Sequence, residues 1–94
     1  MKIRWAPRGL RTRDAQLRYI SERNPAAVIR LGEAIRSAIA TLADHPHMGR
    51  AGRVNGTREL VVSRTPYVVV YRIRGQEVCI VRVLHSAQCW PAAH

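Results

Sequence analysis

Ninety-four residues, 47% apolar and 23% charged, suit one small globular domain spanning 1–94 and exclude a disordered chain. No apolar run approaches the ~20 residues of a membrane helix, and MKIRW followed by polar residues is no secretory signal, so a cytoplasmic chain with no membrane association is expected. Sixteen basic residues against six acidic give a net charge of +10, which favours an anionic partner, nucleic acid or acidic polypeptide, over a charge serving solubility alone.

In chain order, Ile3 and Trp5 alternate with Lys2 and Arg4, fitting a first β-strand that Pro7 ends. From Arg8 to Glu22, Leu10, Leu17 and Ile20 fall near helical spacing, with Ala15 and Tyr19 beside them. Arg13 and Gln16 stand where a core-facing helix is usually apolar, and Arg11, Arg13 and Arg18 are expected on a solvated face. Asn24-Pro25 opens a second helix, with Asn as N-cap and Pro at the first helical position. Val28, Leu31, Ile35, Ala38, Ile39 and Leu42 follow its 3.6-residue period, and His45-Pro46 ends it. A tight Ser21–Asn24 connection makes the two helices an antiparallel hairpin. His47–Asn55 has no periodicity and reads as a loop. Within it, Arg50 and Arg53 beside Gly49 and Gly52 can form an anion-binding concavity, because backbone N–H groups exposed at glycines cradle anions.

Three β-branched runs follow, Leu60–Val62, Tyr67–Ile73 and Val78–Leu84, separated by Thr65-Pro66 and Arg74-Gly75-Gln76. Connections this short require antiparallel neighbours. The expected fold is α+β in the order β-α-α-β-β-β, a helical hairpin packed on one face of a mainly antiparallel four-stranded sheet. A two-residue turn at Gly75-Gln76 sets Arg74 opposite Glu77, Arg72 opposite Cys79 and Val70 opposite Val81. Arg72 then shares a face with His85, and Arg82 shares the other with Tyr71; a bulge or a three-residue loop reverses this. Trp90 is expected to pack the tail onto the sheet. Cys79 and Cys89 lack metal spacing and read as free thiols. His45 and His47, two apart around a proline, are not a ligand pair, so no metal or other cofactor is expected.

RNA cleavage without a metal needs a base for the 2′-hydroxyl, a cation for the developing phosphorane charge and an acid for the leaving oxygen. His85 is the base or acid this sequence offers, Arg58, Arg64, Arg72 and Arg82 the cations, and Tyr71 a weaker acid. The same side chains equally suit contacts with a protein partner. No helix-turn-helix or zinc-finger pattern is present, and the aromatic content of 5% is sparse for stacking bases, so direct sequence-specific DNA binding is not expected.

Taken together, several pieces resemble the RelE/ParE superfamily of toxins from bacterial type II toxin–antitoxin modules. They are Asn24-Pro25-Ala26-Ala27, His45-Pro46 through Gly49-Arg50, and Gly56-Thr57-Arg58-Glu59-Leu60-Val61-Val62. Pro66 through Arg72, Arg82-Val83-Leu84-His85 and Trp90-Pro91 complete the set. The resemblance implies a helical hairpin on an antiparallel sheet and a toxin neutralised by a cognate acidic, ParD-like antitoxin. The wording is closer to ParE, which implies DNA gyrase as target and no catalytic residues, with Arg58, Arg64, Arg72, Arg82, His85 and Trp90 contacting target or antitoxin. The RelE side implies instead a ribosome-dependent mRNA endoribonuclease, in which Arg72, Arg82 and His85 would act. The sequence departs from the pattern at Arg13 and Gln16 and at Ser86-Ala87-Gln88-Cys89.

Overall fold

Strand-forming Val, Ile and Tyr dominate Tyr67–Arg74 and Glu77–His85, and these two segments form the long central pair of the sheet. A computed structural model describes residues 1–88 and 90–91. Its elements are β1 (Lys2–Trp5), α1 (Pro7–Arg23), α2 (Pro25–Asp44), β2 (Arg50–Ala51), β3 (Arg58–Val61), β4 (Tyr67–Arg74) and β5 (Glu77–His85). The sheet order is β1-β5-β4-β3-β2. Four of these strands are the expected ones. The fifth, the two-residue β2, lies inside the expected loop and pairs Arg50 with Glu59 and Ala51 with Arg58. All pairings are antiparallel except β1 with β5, which is parallel because the helical hairpin carries the chain across the sheet.

Asn24 alone separates the helices. It stands at the N-cap of α2, but its side chain makes no capping bond; its carbonyl accepts from Ala27 N–H at 2.9 Å. Leu31, Ile35, Ala38, Ile39 and Leu42 of α2 pack against Tyr67, Val69, Tyr71, Val78, Ile80 and Val83 on the inner face of the sheet. A smaller apolar cluster of Val68, Val70 and Leu84 occupies the outer face, with Val81 and Trp90 packed on it, so Trp90 ties the tail to the sheet as expected. No helix among the described residues is long and apolar enough to cross a membrane.

The polar residues of α1 have a structural reason. β1 pairs with β5 only from Glu77 to Ile80, which leaves the rest of that edge open. Helix α1 covers it: Val83 N–H donates to Thr12 Oγ1 at 2.9 Å, and Gln16 Nε2 donates to the Val83 carbonyl at 3.3 Å and to Gln88 Oε1 at 2.9 Å. An apolar side chain at 16 would leave this carbonyl of the strand without that donor. Arg13 lies over the Trp5 ring at 5.0 Å, a cation–π contact that replaces an aliphatic one.

Where α1 comes nearest the strand, only glycine fits. A Cβ on Gly9 would collide with the Ile80 backbone carbonyl and touch the Trp5 ring at 3.4 Å. Gly9→Ala gains about 1 kcal/mol of helix propensity but costs about 1–3 kcal/mol in displaced packing. A net loss of up to about 2 kcal/mol is expected, read as a lower midpoint in urea denaturation.

Candidate functional site

The hairpin register decides which chemistry-bearing side chains meet. Arg74 lies opposite Glu77 and Arg72 opposite Cys79, as the two-residue turn requires. The expected pairing of Val70 with Val81 does not occur. Between Tyr71 and Val70 the partner jumps from Ile80 to Arg82, so Val81 is an extra residue in β5, a β-bulge. One added residue flips every later side chain to the other face. Arg82 therefore joins Arg72 on the outer face, and His85, opposite Tyr67, falls on the inner face with the helices. This reverses the assignment the unbulged hairpin predicts.

His85 packs edge-on to the Tyr67 ring at 5.3 Å, and its Nδ1 accepts from Ala87 N–H at 3.1 Å. Arg82 sits across the sheet from it, with its guanidinium 4.8 Å from the centre of the Trp90 ring. Tyr71 is fully buried; its hydroxyl accepts from Gly49 N–H at 2.9 Å and donates to the Pro46 carbonyl at 2.7 Å. Burial raises its pKa against the smaller opposing effects of the Gly49 N–H and Arg58. It pins the turn after α2 and is poorly placed to be an acid.

Arg50 and Arg53 do gather round an anion, but it belongs to the chain. The expected glycine cradle does not form: Gly49 N–H donates to the Tyr71 hydroxyl and Gly52 N–H to the Thr57 carbonyl. Glu59, on the outer face opposite Val70, is 2% exposed. Its Oε2 accepts from Arg53 N–H at 2.9 Å and Arg53 Nε at 3.2 Å, while Oε1 accepts from the terminal nitrogens of Arg50 and Arg53 at 3.2 and 3.3 Å. Burial pushes the carboxyl pKa up, yet the hydrogen bonds from Arg53 and Arg50 outweigh it and the net shift is downward. The two arginines thus serve the fold first.

Residues 3–90 match the family model of the ParE toxin of type II toxin–antitoxin systems, parDE. The chain belongs to the ParE toxin family. A curated relative in Sinorhizobium fredii, Y4kP, named there as a candidate toxin, is 42% identical over 90 residues, covering 96% of this chain and 93% of the relative. Toxin RelE2 of Caulobacter vibrioides is 34% identical over 93% of this chain and 97% of its own length. In fold, the chain resembles a structure of the chromosomal ParDE system from P. aeruginosa, with a TM-score of 0.79 at 23% identity over 90% of this chain and 95% of that one. The RelBE2 toxin–antitoxin complex of Mycobacterium tuberculosis matches with a TM-score of 0.51 at 21% identity, over 89% and 88% of the two chains.

Within this ParE-family toxin the expected contact residues do not form one patch. Arg72, Arg82 and Trp90 share the outer face. Arg58 lies opposite Tyr71 on the inner side and is engaged by the chain, donating to the carbonyls of Gly49 at 2.6 Å and His47 at 3.3 Å. Arg64 is in the β3–β4 turn at a positive φ of 63°. Cys79 is half-buried and makes no disulfide among the described residues, and Cys89 lies outside them. Sequence reasoning missed Glu59, and it missed Arg8 and Arg11, which the fold brings beside Arg72 and Arg82. The signal for the latter was a spacing of three at the start of a helix, which puts both side chains on one side of it.

Proposed function

We propose that this type II toxin acts by inhibiting DNA gyrase through protein contacts, and that an acidic, ParD-like antitoxin neutralises it in the cytoplasm. The observation that carries the reading is the bulge at Val81, which leaves Arg72 and Arg82 on one face and His85 on the other. Acid, base and cation must all reach a single phosphodiester for metal-free RNA cleavage. Here the imidazole is separated from both outer-face arginines by the sheet, and the Tyr71 hydroxyl is committed to Gly49 and Pro46. A net charge of +10 supports electrostatic steering of an acidic antitoxin. The outer-face residues Arg72, Arg82 and Trp90 are the contacts we assign to target or antitoxin, with Arg58, Arg64 and His85 as separate contacts off that face.

Relatives that carry the name RelE favour a second reading, ribosome-dependent mRNA cleavage. The two separate in one paired experiment. Purified chain is added to a gyrase supercoiling assay and to a translation extract read by primer extension. Expected are loss of supercoiling, intact mRNA, and an unchanged gyrase effect in His85→Ala. Codon-linked cuts that disappear in His85→Ala would overturn the gyrase reading.

A further inference from the structure

On the outer face, Arg8 and Arg11 of α1, Arg72 of β4 and Arg82 of β5 line one concavity of about 410 Å³ with Val81 and Trp90. No acidic residue lines it. Asp14, Glu59 and Glu77 pair with Arg13, with Arg50 and Arg53, and with Arg4, so these carboxylates are spent elsewhere. None of the four guanidiniums in the pocket has an ion pair or a side-chain hydrogen bond among the described residues. Burial, followed by repulsion from Arg8 and Arg11, lowers the Arg82 pKa. Like charges gathered this way destabilise a fold unless an anion sits among them. Helix α1 opens at the same pocket with no acidic residue in its first turn, so its positive end adds to the field. The indole N–H of Trp90, a donor only, is buried without an acceptor among the described residues.

We propose that this pocket binds the phosphodiester backbone of a nucleic-acid strand without reading its sequence. The guanidinium fork matches the oxygen edge of a phosphate in a bidentate fashion. A phosphodiester, like a carboxylate, presents two oxygens to one fork, so a single such group cannot serve four forks. Successive phosphates along a strand bring several anionic groups to a site of this width, and they need no apolar anchor. The inference goes beyond gyrase inhibition and does not depend on it: it adds a nucleic-acid strand as a further occupant of the face on which Arg72, Arg82 and Trp90 were assigned protein contacts.

Fluorescence anisotropy of labelled single strands of about 15 nucleotides, DNA and RNA, titrated with the full chain tests it at several salt concentrations. Binding should weaken with salt, and Arg8→Gln/Arg11→Gln should make the log–log slope shallower by about 1.4, since each single-strand phosphate contact contributes about 0.7. Both substitutions lie on the exposed side of a helix, and circular dichroism confirms that the variant is folded. Arg30→Gln/Arg36→Gln removes the same charge from α2 and should leave the slope nearly unchanged. Equal losses in the two variants, or no binding at low salt, would overturn the proposal. So would poly-glutamate that binds more tightly than the strands and loses affinity in Arg8→Gln/Arg11→Gln. The titration contains no gyrase, so its failure leaves the gyrase reading standing.

Discussion

Replacing Arg50 and Arg53 together by alanine is expected to destabilise the fold by about 3 kcal/mol, the lower end of what is lost when a buried charge is deprived of its partner. The Glu59 side chain is 1% exposed, whereas those of Arg50 and Arg53 are 64% and 42% exposed. Removing the arginines strips the carboxylate of the guanidiniums that both pair and cover it; the Arg53 backbone N–H would still serve it and water can enter part of the space they leave, which is why the lower end applies. Glu59→Ala should cost less, because both guanidiniums can turn into solvent. The pH dependence gives the check. In the folded wild type the Glu59 pKa is lowered, so its contribution is present in full above the ordinary carboxylate value and is lost as pH falls through the folded one. In the double variant burial acts nearly alone and raises that pKa, so acid relieves the damage. Thermal melts should show the largest gap between the proteins near about pH 7, narrowing toward about pH 4. A gap that is constant with pH would mean that Glu59 is not the group involved.

Tyr71→Phe is expected to cost about 1–3 kcal/mol although the ring and its volume are retained. The lost hydroxyl satisfies both Gly49 N–H and the Pro46 carbonyl, and the site is fully buried. For a domain of this size each kcal/mol lowers the melting temperature by about 4–8 °C. Gly49 shows how closely the two are fitted: a Cβ there would lie 2.6 Å from the Tyr71 hydroxyl and 2.9 Å from the Glu59 carbonyl. Tyr67→Phe is the control. Tyr67 is also buried, at 4% exposed, but its hydroxyl makes no hydrogen bond among the described residues, so a change within about 0.5 kcal/mol is expected. Faster amide exchange at Gly49 in Tyr71→Phe, and not in Tyr67→Phe, would tie the loss to the turn after α2.

Much of the architecture was legible in the residues. The 3.6-residue stripe from Leu31 to Leu42 is the buried face of α2, and Pro25 marks its first turn. The β-branched runs are β3, β4 and β5, with Gly75-Gln76 as the two-residue turn between the last two. One reading held only in part and one failed, both for local reasons. Asn24 is the N-cap of α2, as its identity indicates, but at φ −150° and ψ 81° its side chain makes no capping bond. Segment 47–55 looks like a plain connector, since two paired residues are too short to carry a periodicity; β2 forms because Glu59 draws Arg50 across to it.

Composition, periodicity and turn residues by themselves determined the element order apart from β2, the helical hairpin on one face and the surplus of arginine. Each depends on patterns within about a dozen residues, which the chain states directly. Which arginines meet was decided only by tertiary structure. A single extra residue at Val81 inverts the outward and inward assignment of Arg82 and His85, and no local propensity marks a valine among valines as a bulge. The same holds for Arg8 and Arg11, which lie over sixty residues from Arg72 and meet it only because α1 covers the open edge of β5. Convergence of distant charges follows from strand register and helix docking, and both are set by packing across the whole sheet.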